Sequence, residues 1–109
     1  MAKPRIHANL ICSTAANANT VRTWLQGRII ARTRFMDDVP AVVSGVNVMY
    51  QGRFQSQAGA DAIYNEIIAE WTSGANSGRI LAGSWVGKHT CTHDDATPAR
   101  CAWQTEATK

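Results

Sequence analysis

Three side chains that favour metals, His89, Cys91 and His93, stand at every second position near the C-terminus, and Cys101 follows them. In an extended chain alternate residues share a face, so Trp85, His89, Cys91 and His93 are expected along one side of a strand. Neighbours two apart on a strand are about 6.5–7 Å apart, close enough for two of them to share an ion bound at about 2.0–2.3 Å. The two histidines are about 13 Å apart on a straight strand, so a site using both needs a bend near Thr92.

Structural zinc takes four ligands, and His89, Cys91, His93 and Cys101 form the candidate set. Asp94 or Asp95 offers a further ligand or a hydrogen bond to one. The spacing H-x-C-x-H-x7-C matches no standard zinc finger. A Cys91–Cys101 disulfide is the equal rival. It would close a loop of about eleven residues and stabilise by about 2–3 kcal/mol in the chain-entropy model. Either link is structural and pins the loop 94–100 to the last strand, because that loop has no large apolar residue to dock it. A third reading makes Cys91 a thiolate nucleophile with a neighbouring histidine as base, the core of a metal-dependent or thiol enzyme. No oxyanion hole or nucleotide-binding glycine motif accompanies it. Cys12 reads as a small buried hydrophobe and His7 as a solvated or interfacial residue.

The elements that must position these residues are legible from periodicity. Ile6, Ala8, Leu10 and Cys12 alternate with His7, Asn9 and Ile11, the pattern of a strand with one buried side. Ser13 or Thr14 offers an N-cap, and Ala18, Val21, Leu25 and Ile29 predict a helix over 15–30. "RTRFM" reads as a short strand or the helix end, and "DDVP" as a turn. "AVVSGVNVMYQGRF" is β-branched and aromatic, either a long strand bent at Gly45 or a tight hairpin there. "AGADAIYNEIIAEWTSG" is the clearest helix, with Ala60, Ile63, Tyr64, Ile67, Ile68 and Trp71 on one stripe. "RILAGSWVGKHTCT" is the last expected strand. Residues 94–109 read as a loop and fraying polar tail.

The 109 residues and 45% hydrophobic content predict a single globular domain over 1–109. The order strand, helix, strands, helix, strand predicts an α+β two-layer sandwich. An antiparallel sheet carries both helices on one face, in the ferredoxin-like split βαβ order. The other sheet face is then open, and Trp85 with residues near Tyr50 is the expected contact surface. A net charge of +3 is too small to demand nucleic acid. Arg22, Arg28, Arg32 and Arg34 read as a solvated helix face.

Membrane spans are not expected, since no apolar run is long enough. The stretch "MAKPRIHANLICST" has no sustained apolar core, so no signal peptide is expected, and a cytoplasmic place or a place in an assembled particle is the default. The function expected is a small non-enzymatic assembly or interaction protein, a homo-oligomer with a structural Cys/His clip. Two alternatives stand beside it: the enzyme built on His89, Cys91, His93 and Cys101, and single-stranded nucleic-acid binding through Arg5, Tyr50, Arg53 and Phe54 on the sheet.

Overall fold

The computed structural model describes residues 3–32, 41–91 and 105–109. Strand β1 spans Lys3–Ile11. Its even-numbered apolar residues, Ile6, Ala8 and Leu10, all lie in the core, as the alternation requires. Helix α1 spans Ala15–Arg32. Thr14 Oγ1 accepts from the Asn17 amide at 3.0 Å, which satisfies one of the donors a helix start leaves open. Ala18, Val21, Leu25 and Ile29 are fully buried at i, i+3, i+7, i+11 spacing.

Strands β2 (Val42–Ser44) and β3 (Asn47–Arg53) form a tight hairpin rather than one bent strand. The turn between them is two residues long, and Gly45 takes a φ of +62°, a conformation that favours glycine. Helix α2 spans Gln57–Ser73. Ser56 caps it by accepting from Gly59 N at 3.2 Å. Gly74 N closes its other end on Glu70 O. The Glu70 carboxylate accepts from both nitrogens of Asn76, backbone at 3.0 Å and side chain at 2.8 Å, and so holds the loop that follows. Ala60, Ile63, Tyr64, Ile67 and Trp71 are buried, whereas Ile68, expected on the same stripe, is only half-buried at its margin.

Strand β4 spans Trp85–Cys91 and strand β5 Thr105–Thr108. The five strands form one antiparallel sheet in the order β2-β3-β1-β4-β5. Both helices belong to one core with Ile6, Leu10, Val48, Tyr50 and Val86, so they cover the same sheet face. They are joined there by an ion pair, Arg28 Nε donating to Glu66 Oε1 at 2.8 Å. One of the arginines expected on a solvated face therefore ties the helices together. On the same side Lys88 reaches Asp61 at 2.8 Å and lies 4.7 Å from the centre of the Tyr64 ring.

Of the two readings of "RTRFM", Arg32 follows the second, since it ends α1; the other residues of that stretch, and the "DDVP" turn, lie outside the described residues. One expectation needs correction. The segment 94–109 is not wholly a fraying tail: residues 105–108 form β5. An edge strand needs only one partner and one covered side, and Ala107 packs against the core. Lys109 fastens it. Its backbone N donates to Ser84 O at 2.8 Å, and its Nζ donates to Ser77 O at 2.6 Å and to Ile80 O. No helix among the described residues is long and apolar enough to cross a membrane.

Candidate functional site

Three of the rows that the strand registers set on the outward face carry the candidate residues; a further row, Ser44, Asn47 and Ile11, lies beyond the first of them. Opposite the helices, the first row runs across all five strands: Val42, Met49, Asn9, Trp85 and Thr108. The second is Gln51, His7, Gly87 and Glu106. The third is Arg53, Arg5 and His89. Of these three rows the first is largely apolar and the third cationic, with His7 in the row between and His89 in the third. Among the described residues no helix packs on this side.

The apolar end is open. Val42 keeps 49% of its surface exposed and Met49 44%, and they stand directly opposite each other on β2 and β3. Trp85 is half-buried and separates two depressions. One, of about 260 Å³, is lined by His7, Asn9, Met49, Gln51 and Trp85. The other, of about 200 Å³, is lined by Gly83, Trp85, Glu106 and Thr108. A larger groove of about 410 Å³ runs between the helices beside Trp24 and the Arg28–Glu66 pair, and no histidine or cysteine lines it.

The cationic end is buried. Arg5 and His89 are each 1% exposed and His7 6%. His7 and His89 sit diagonally on β1 and β4, with ring centres 5.8 Å apart and planes 30° from parallel. Burial, then the positive potential of His89 and of Arg5, pushes the His7 imidazole down to about pKa 4. His7 is therefore a neutral donor–acceptor ring at neutral pH. Of the two expectations for His7, solvated or interfacial, the first is overturned. β1 is the central strand, so its outward side chains are flanked by those of both β3 and β4.

The residues singled out by sequence are distributed as follows. His89 and Trp85 share a face of β4, as alternation requires, and Cys91 ends that strand in register with Lys3. His93 and Cys101, with Asp94 and Asp95, lie outside the described residues. Among the described residues no group of three His, Cys, Asp or Glu side chains is placed to hold a metal. Cys12 is buried and carries a free thiol, its pKa raised by burial. Tyr50 and Phe54 are 2% and 1% exposed and belong to the helix-side core. Tyr50 is in register with Ala8, which fixes its side, so neither it nor Phe54 offers a ring to a partner on the open face. Arg5 is likewise buried, which leaves Arg53 as the accessible member of the nucleic-acid set.

His7, Met49 and Val42 were not read as site residues. The local hairpin pairs Val42 with Met49, but their row with Trp85, and the place of His7 beside His89, come from registers that join strands far apart in sequence. Comparison of the chain with protein-family models, with curated proteins and with solved structures finds no match in any of the three.

Proposed function

We propose that the chain is a small non-enzymatic interaction protein that self-associates, as a symmetric homo-oligomer, through the apolar row on the sheet face opposite the two helices. The observation that carries the reading is the row Val42–Met49–Asn9–Trp85, in which two large aliphatic side chains stay about half exposed beside a tryptophan. Tryptophan and methionine are enriched at protein contacts, and adjoining apolar side chains on a strand face favour a second surface over water. Tyr50, buried on the other face of the sheet, has no part in it.

Light scattering on the eluting protein at micromolar concentration tests the reading. Met49→Glu and Trp85→Glu should each move the mass toward monomer while the helical circular-dichroism signal is kept. A wild-type chain of monomer mass across that range would overturn it.

Two finer points belong to the same proposal. The order β2-β3-β1-β4, with helices joining β1 to β2 and β3 to β4, supports a ferredoxin-like split βαβ plan with β5 added at one edge. Cys91 and Cys101 act as a structural clip for the loop 94–100, by zinc shared with His89 and His93 or by a disulfide. The position of Cys91 at the end of β4, next to where β5 pairs, supports a link that shortens the free path between those strands.

A further inference from the structure

We propose that the groove between the two helices binds a primary alkylammonium, a free amine whose charged head meets Glu70 and whose apolar stem lies along Trp24. The groove is built from α1 and α2, so the proposal is independent of self-association through the sheet and of the Cys/His clip.

The lining is the first argument. The groove's volume of about 410 Å³ is that of a small-molecule site. Helix α1 contributes Trp24 and Arg28, and α2 contributes Glu66, Glu70 and Ser73, with Gly74 following. The Arg28 charge is met by Glu66 at 2.8 Å. Glu70 is then the lining charge with no ion-pair partner among the described residues. Trp24 is half-buried against the core, which anchors an aromatic surface in the groove, and such a surface attracts cations.

The second argument is a carboxylate fixed in advance. Glu70 Oε2 accepts from both nitrogens of Asn76, at 3.0 and 2.8 Å, and Asn76 is itself buried. Glu70 Oε1 accepts no hydrogen bond among the described residues. It folds over Gly74, where a Cβ would overlap it. A carboxylate already held by one oxygen gives up little freedom when its other oxygen takes a ligand.

The single open oxygen decides the head group. A guanidinium fork pairs best with both oxygens of a carboxylate, whereas an ammonium is a compact point charge that needs one. The Ser73 hydroxyl also lines the groove and offers the ammonium a second acceptor. The end of α2 favours the same charge. Partial negative charge gathers at a helix C-terminus, and the last turn of α2 carries no basic side chain. Arg79, the next cation along the chain, donates to Ala75 O and Asn76 Oδ1 and does not line the groove.

The test titrates n-hexylamine into the full chain at neutral pH and follows the assigned indole N–H signals of the four tryptophans by NMR. We expect saturable binding in the millimolar range, with the Trp24 signal moving most. Affinity should fall at least tenfold for n-hexanol and at least tenfold in Glu70→Gln, and hexylguanidinium should bind more weakly than the amine. Ser73 is exposed, so Ser73→Lys supplies a second variant that leaves the core and the Asn76 contacts alone. Its tethered ammonium should abolish amine binding and raise the melting temperature. No saturable binding, hexanol or hexylguanidinium binding as tightly as the amine, a larger response at another tryptophan, or binding that survives Ser73→Lys overturns the proposal. Light scattering separates a free amine from a lysine of a second copy. A fall in mass on adding the amine would mean that such a lysine already fills the groove, and would overturn the assignment to a free amine.

Discussion

Tyr50→Phe should make the protein more stable. The Tyr50 ring is 2% exposed, and its hydroxyl has no hydrogen-bond partner among the described residues. A buried polar group left without a partner costs about 1–3 kcal/mol, and phenylalanine keeps the ring, so little packing is lost. A gain of about 1 kcal/mol at pH 7 is expected, which is a rise of about 4 °C in melting temperature for a domain of this size. The alkaline limb offers a second readout with a defined sign. Burial holds the Tyr50 phenol well above the ordinary tyrosine range. Wild-type stability therefore falls as pH rises beyond the unfolded pKa of about 10, because the unfolded chain gives up the phenol proton first. The Tyr50→Phe variant has no such proton to lose, so its advantage over wild type should widen above about pH 10.

The neighbouring glycine completes the cycle. A Cβ at position 52 would lie 2.1 Å from the Tyr50 hydroxyl oxygen and 2.6 Å from Cζ. Gly52→Ala should cost about 1–3 kcal/mol in wild type and less in the Tyr50→Phe background, since the nearest obstructing atom is then absent while Cζ remains. Urea titrations of the four proteins at pH 7 measure these terms. A Tyr50→Phe loss of more than about 0.5 kcal/mol would mean that the hydroxyl is bonded, and would refute the reasoning.

Three further outcomes are expected. Ile67→Ala removes a fully buried side chain from the middle of the α2 stripe and should cost about 2–5 kcal/mol in urea titration; a loss under about 0.5 would place that stripe outside the core. In EDTA-treated protein, His7 should lower stability as pH falls from 6.5 to about 4, since the unfolded chain binds its proton first. That loss is at most about 3 kcal/mol, and a His7→Gln variant with the same acid limb would assign the slope elsewhere. For the cysteine clip, about one zinc per chain with three thiols free after chelation marks the metal form, and one free thiol without metal marks the disulfide. Three free thiols without metal, and an unchanged melting temperature in Cys101→Ser, would leave the pair idle.

Much of the architecture could be read from local pattern. The β1 alternation and the α2 spacing are each written within a single element, and each element buries what its own period predicts. Strand β5 was missed because Thr-Glu-Ala-Thr has no apolar run; a single inward Ala107 and one partner strand suffice at an edge. The direction of Tyr50 depended on pairing with Ala8, which alternation within β3 alone does not supply. The His7–His89 approach was the least legible. It depends on the register that sets Arg5 opposite His89 and His7 opposite Gly87, residues from distant parts of the chain, and no short-range signal carries such an offset. The same limit hid the row that joins the Val42–Met49 hairpin pair, through Asn9, to Trp85.

The place of β1 has a consequence for how the chain is made. It leaves the ribosome before every strand it pairs with, yet it ends in the middle of the sheet. Its partner β3 is not complete until Arg53, and its other partner β4 not until Cys91. While these segments are being made the nascent chain therefore carries an apolar strand with both edges unsatisfied, the condition under which chaperones and neighbouring chains compete for it. Loop closure over these spans also places the fold among slower, non-locally connected domains. Proximity of His7 to His89 reports the final pairing of that sequence. A label on the two imidazoles would time the pairing of β1 with β4 rather than the formation of either helix.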